Sequence, residues 1–345
     1  DLHPFVEKLK KEAEKYNETH DPKITEDEIK NINATNYFLN STGGKIVIDR
    51  EVSGDINATT KNSRIQILSC RNFTANSGYG DVYSARKTAG IKISGVANIK
   101  TTAGIVDIDT ISGAGKSIIE TKTGNVKITN VQDLDLTTTR GFIRVNSAKN
   151  INVQTSSGSI TVETATESVT AKTKRGKVFL GGEENSLYNP KVETTFGDVS
   201  VISASGTVKI DTVKADVNFV NKDASNIKLS VGGDLSATKL LGAVNVTVDG
   251  NANIEFANFT QGSKITGLKA KSLVTVKLLN NDGNTFSYDL EGNDASLFEY
   301  NAEDPNNHYQ ISKSTSITSS ADKVGKPLLS ATSQGRLVVY YKKTM

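Results

Sequence analysis

Aliphatic residues recur along the middle of the chain in pairs two positions apart, the spacing of one buried face of a β-strand. Each pair follows the same short anchor, Thr-x-x-Gly. It stands at Thr101/Gly104, Thr121/Gly124, Thr138/Gly141, Thr155/Gly158, Thr173/Gly176 and Thr194/Gly197. The glycines therefore recur at intervals of roughly 17–21 residues, a period that marks stacked repeats. Two and four places after each glycine come Val106 and Ile108, Val126 and Ile128, Ile143 and Val145, Ile160 and Val162, Val178 and Leu180, Val199 and Val201. Five places before each glycine stand Ile99, Ile119, Leu136, Val153, Ala171 and Val192. Each unit reads as strand, glycine turn, strand, with the aliphatic positions and the Thr inward and the intervening polar residues outward.

With the glycine relaxed to a small or polar residue, the template extends to Tyr37–Ile48, Ile56–Ile67, Phe73–Val82 and Val208–Phe219, with weaker fits at Leu235–Val246, Ile254–Ile265 and Val274–Thr285. Stretches near Lys87–Ile93 and Lys222–Gly233 break the period and are expected to bulge from an edge. A repeat of this length, with identical inward positions, predicts coils whose like strands stack about 4.8 Å apart rather than a meander of hairpins. The predicted fold is all-β: a parallel β-solenoid of about 12 coils, each about 17–21 residues long, with two main faces. In it the glycine supplies a positive φ at a sharp corner, and the Thr hydroxyl meets turn backbone.

The ends depart from the repeat. Phe5, Val6, Leu9, Ala13 and Tyr16 have helical spacing, and Thr25 with Glu28 forms a capping box, so residues 1–36 read as a helical cap or linker. Residues 37–285 form the repeat domain, and 286–345 a polar segment ending in the strand-like Leu337–Tyr341. That apolar run is expected to add to a sheet edge and cap this solenoid.

Composition agrees with many short strands and tight turns: 37 Thr, 32 Ser, 31 Asn and 28 Gly, with only 36% hydrophobic residues and no Trp. The 41 basic and 38 acidic residues are mixed along every strand, so no basic block marks a nucleic-acid partner. No apolar run approaches the ~18 residues of a membrane helix. The chain opens at Asp1 without an initiator Met, which leaves room for an upstream leader or anchor. A lone cysteine, Cys70, excludes an internal disulfide or a multi-thiolate zinc site and reads as a small residue packed beside a strand.

Candidate chemistry is sparse. Ser112-Gly113-Ala114-Gly115-Lys116-Ser117 looks like the end of a phosphate-binding loop, but Thr110 occupies the place of its first glycine and a strand pattern follows instead of a helix. Seven Asn-x-Ser/Thr sequons, at Asn17, Asn33, Asn40, Asn57, Asn72, Asn245 and Asn258, match the about six that composition alone gives. Polysaccharide-cleaving enzymes on β-solenoids line carboxylates along one outer face, which makes Asp107 with Asp109, and Asp133 with Asp135, the candidate pairs. Neither pair recurs as a cluster in the next coil, and His3, His20 and His308 all lie outside the repeats. Gly232-Gly233-Asp234 lacks the spacing of a calcium-binding β-roll. The sequence therefore assigns no catalytic, cofactor-binding or metal-binding residue.

Thr155-Ser156-Ser157-Gly158-Ser159-Ile160-Thr161-Val162 and Thr194-Thr195-Phe196-Gly197-Asp198-Val199-Ser200-Val201 resemble the repeats of the adhesin-labelled β-solenoid domains of unknown function. The resemblance covers roughly residues 37–285. It implies a solenoid of the kind common in bacterial envelope proteins and found also in organellar ones, and it brings no catalytic residues. The expectation is a non-catalytic structural, adhesive or scaffold protein outside the cytoplasm, with a protein or glycan partner. A carbohydrate-active β-helix and an accessory subunit of an organellar or membrane complex are the alternatives.

Overall fold

The computed structural model describes residues 36–256 apart from 87–88, and beyond them the strand placements between 264 and 340. Among the described residues there is no helix, and the helical cap expected over 1–36 lies outside them except for Asn36. The chain divides into two compact units, Asp1–Phe142 and Ile143–Met345, a boundary that falls inside the repeat region.

Each unit is wound as the repeat predicts. A coil has a leading strand before the glycine turn and a trailing strand after it. In the N-terminal unit the leading strands Tyr37–Ser41, Ile56–Thr60, Phe73–Ser77 and Ala97–Ala103 pair in parallel and continue onto the later halves of Val106–Thr123 and Val126–Arg140. The trailing strands Ile46–Glu51, Ile65–Cys70 and Val82–Ser84 continue onto the earlier halves of the same two. The C-terminal unit repeats the scheme, with Pro190–Phe196, Thr207–Thr212, Asn226–Val231 and Ala243–Val248 leading, and Val199–Ser205, Val217–Asn221, Leu235–Leu240 and Ala252–Phe256 trailing.

Parallel pairing in register puts like residues on like, so each inward position becomes a ladder. The twelve aliphatic residues that follow the anchor glycines are each at most 1% exposed. Burying one such side chain contributes roughly 1.5–3 kcal/mol, and the ladder repeats that gain at every coil. The two-faced reading misses a third inward column, short and set at the second corner. Cys70 pairs with Ile93, Ile93 with Ile111 and Ile111 with Val131. Burial pushes the Cys70 thiol up to about 12, so it stays protonated and serves as a small apolar filler.

Three expectations are corrected in whole or in part. Lys222–Gly233 is no bulge: Asn226–Val231 is a regular leading strand, paired on both sides. Val231 stands where other coils have Thr, which hid the anchor and shifted the later fits by half a coil, so that Leu235 and Val274 begin trailing strands. The glycine expectation holds at five of the six anchors and changes at one. Gly124, Gly141, Gly158, Gly176 and Gly197 have the expected positive φ, but Gly104 does not, and a Cβ there would land on the carbonyl oxygen of Gly80 in the coil before. Close backbone approach therefore selects glycine there. Finally, the Thr column meets turn backbone only in part. Thr212 Oγ1 donates to the Ala215 carbonyl and accepts from Gly232 N–H, both at 3.1 Å, whereas the hydroxyls of Thr60, Thr101, Thr121 and Thr155 are buried without a partner.

That contrast is testable. Thr121→Val keeps the shape and removes an unsatisfied hydroxyl, so it is expected to be neutral or to stabilise by about 1 kcal/mol, while Thr212→Val should destabilise by about as much. Urea unfolding of the two variants checks both signs, and equal effects would contradict the assignment.

At the C-terminal end Leu337–Tyr340 adds in parallel to Val274–Leu278, and Tyr309–Ile311 then pairs with it antiparallel. Leu328–Ser333 likewise adds to Lys264–Ala270 and is covered by the antiparallel Ser316–Thr318. The apolar run thus adds to a sheet edge, and the reversal of strand direction ends the parallel template there.

Candidate functional site

The broken period at Lys87–Ile93 marks a stretch of the N-terminal unit where the coil leaves its template, and a pocket forms beside it. The inner part of the stretch belongs to the core, since Ile91 and Ile93 are at most 1% exposed. The Ile91 carbonyl accepts from the N–H groups of Asp109 and Thr110, at 3.1 and 3.0 Å, which ties the stretch to the next coil. On the outer side Ala85 N–H donates to the Ile67 carbonyl at 2.9 Å, and Gly90 rests against Asp109, whose Cβ leaves no room for a side chain there.

The resulting pocket has a volume of ≈ 540 Å³, and Arg64, Tyr83, Arg86, Asp107, Asp109 and Lys127 are among the residues that supply its polar groups. Arg64 Nη1 donates to Tyr83 Oη at 2.9 Å, Arg86 Nε reaches Asp49 Oδ1 at 2.6 Å, and Lys127 Nζ lies 3.9 Å from Asp107 Oδ1. Asp109 Oδ2 accepts from the Thr110 hydroxyl at 3.3 Å. The volume is that of a small-ligand site. Its groups are positioned by neighbouring coils: Asp107 and Lys127 are direct register partners, as are Gln66 and Tyr83.

The structure brings Asp107 and Asp109 into this pocket on a trailing strand, but it sets Asp133 and Asp135 on the leading sheet, where Asp135 pairs with Lys116 at 3.1 Å. The four carboxylates do not converge. Asp107 is 48% exposed at its side chain and faces a cation, the setting of a solvated surface carboxylate and not of the dry pocket that tunes a general acid. The arrangement can hold a polar ligand through charged and hydroxyl groups. Sequence reasoning missed Arg64, Tyr83 and Lys127. The coil period itself was the signal that could have found them, because Lys127 follows Asp107 by one coil, and Tyr83 follows Gln66, two residues along from Arg64, by one coil.

Other sequence candidates resolve into scaffolding. Ser112–Ser117 lies within the strand Val106–Thr123, where Gly113 N–H donates to the Gly95 carbonyl and Ser117 Oγ accepts from Ala97 N–H, both at 3.0 Å. Asn72, a sequon asparagine, has its amide committed: Oδ1 accepts from Val96 N–H at 3.0 Å and Nδ2 donates to Asp55 at 2.9 Å. The hydrogen bond from Arg71 in turn holds the Asp55 carboxyl below the usual carboxylate range. Gly233 N–H donates to the Ala215 carbonyl, and Asp234 N–H to Asp216 Oδ1, so Gly232-Gly233-Asp234 is an ordinary solenoid corner.

A second surface depression, ≈ 600 Å³, runs along the trailing sheet of the C-terminal unit past Phe179, Asp198, Ser200, Asp216, Asn218 and Asp234. Residues 23–180 match the family model described as Toastrack DUF4097, a family of unknown function with a β-solenoid fold. No curated protein and no solved structure matches the chain.

Proposed function

We propose that this chain, matched over residues 23–180 by a Toastrack model, is a non-catalytic scaffold that docks a partner on its outer surfaces. One observation carries the reading: the charged groups of the pocket beside Lys87–Ile93 already have partners on the surface around them, Asp109 taking the Thr110 hydroxyl. Arg86 holds Asp49, Lys127 faces Asp107, and Arg64 is bonded to Tyr83. Such a surface is preorganised for recognition, and it lacks a poised acid and base.

Glycan recognition is the second reading, favoured by the size of the pocket and by Tyr83 in its wall. We further place the protein outside the cytoplasm on the resemblance of residues 37–285 to envelope β-solenoids; recovery of the native protein in a cytosolic fraction would overturn that.

The test combines a glycan array with a panel of polysaccharide depolymerisation assays. The expected result is no turnover by the wild type, and unchanged melting in a variant with Asp107, Asp109, Asp133 and Asp135 all replaced by Asn. Turnover that disappears in the four-Asn variant would establish the enzyme reading instead.

A further inference from the structure

Many cross-coil neighbours on the described surface pair opposite charges. Lys127 stands in register with Asp107, Glu120 with Lys100, and Glu193 with Lys172. A lysine column departs from this. On the leading sheet of the C-terminal unit Lys191 is in register with Lys209, and Lys209 with Lys228. Lysines stacked about 4.8 Å apart repel one another. Glu193 and Asp211 stand in register in the next outward column. Of the two, Glu193 reaches the row, 3.0 Å from Lys191, while Lys209 and Lys228 are exposed and make no ion pair among the described residues.

The trailing sheet of the same three coils carries the complement. Asp198, Asp216 and Asp234 each immediately precede the in-register residues Val199, Val217 and Leu235, and all three are exposed. Their stacking has a local cause, because Asp216 Oδ1 accepts from Asp234 N–H and Asp234 Oδ1 from Asn251 N–H, both at 2.8 Å. Asp198 has Lys177 at 3.4 Å, while Asp216 and Asp234 face no cation among the described residues. This row edges the ≈ 600 Å³ depression, whose floor includes Val199, Val217 and Leu235. Lysine stems can lie along such a floor with their ammonium groups at the carboxylate rim.

We infer that a second copy of this chain is the partner of the lysine row: Lys191, Lys209 and Lys228 of one molecule seat on Asp198, Asp216 and Asp234 of the next. Both rows climb one coil per charge, so their pitches match by construction. Donor and acceptor surfaces differ, so the contact is heterologous and leaves a free row at each end, allowing further copies to add. This holds whether or not the protein is catalytic.

Sedimentation velocity of the full chain tests it. The wild type should associate with rising concentration at about 0.01 M salt and revert to monomer at about 1 M, where the screening length falls from about 30 Å to about 3 Å. Lys191→Glu/Lys209→Glu/Lys228→Glu should stay monomeric at low salt, and so should Asp198→Lys/Asp216→Lys/Asp234→Lys. An equimolar mixture of the two should associate again, since each then offers the other an opposite row.

Because Asp216 and Asp234 also accept backbone bonds, Asp216→Asn/Asp234→Asn provides a milder variant that keeps the acceptor oxygens. It should weaken association about tenfold. A wild type that is monomeric at low salt, or a mixture that stays monomeric, overturns the inference, as does a lysine-row variant that associates like the wild type. A monomeric wild type whose lysine row instead binds a polyuronate chain would identify an anionic polymer as the occupant.

Discussion

Ile160→Asp is expected to unfold the coils around it and to lower the melting temperature by about 10 °C or more. Ile160 is fully buried and stands in a ladder between Ile143 and Val178, its register partners on either side. The substitution removes roughly 1.5–3 kcal/mol of apolar burial and places a carboxylate between two aliphatic register partners. Burying that group unpaired costs several kcal/mol more, a large part of the about 5–15 kcal/mol that stabilises a typical domain. The size of the shift follows because one kcal/mol moves the melting point of a domain of this size by about 2–4 °C. In a solenoid each coil is held by its neighbours, so the loss spreads beyond the coil that carries it. Thr161→Asp, one residue along and outward, is the control. A thermal melt in which the two variants behave alike would show the inward and outward assignment to be wrong.

Gly176→Ala is expected to cost about 2 kcal/mol or more, although it adds a single methyl group. Gly176 has φ +141, where an L side chain is strained, and its new Cβ would land on the carbonyl oxygen of Gly158 in the preceding coil. The obstacle is backbone and cannot rotate aside. Gly176 N–H also donates to the Phe196 carbonyl at 3.1 Å, so backing away from the clash loosens the next coil as well. Gly43→Ala makes the comparison: nothing lies within 4 Å of a Cβ there, and stability should be unchanged. Denaturant midpoints for the two variants separate a requirement for close approach from a general preference for glycine in turns.

Residues such as Val126, Ile143 and Ile160 made the solenoid legible before any coordinates, because a period-two inward pattern that recurs once per coil has few packings open to it. The fate of Leu337–Tyr340 was legible for a related reason, since a short apolar run outside the repeat has an open sheet edge as its natural destination. The phase of the coils after Lys222 was not legible. Val231 replaces the anchor Thr, and Leu235 fits a leading and a trailing strand equally well until its hydrogen-bonded neighbours, Val217 and Ala252, are known.

The candidate site divides along the same line. Asp107 and Asp109 were visible as outward carboxylates on one strand, but their surroundings depend on which residue of the neighbouring coil stands beside them. The coil period sets Lys127 beside Asp107, but only tertiary structure joined Arg64 to Tyr83 and brought these groups around one pocket. It also turned Lys191, Lys209 and Lys228, scattered along a mixed-charge chain, into one row. The pattern along a strand is a local property, set by the pleat and by burial, and a sequence records it directly. Adjacency between coils is set by how many residues each turn consumes, and insertions such as Lys87–Ile93 change that number without leaving a mark on the residues they bring together.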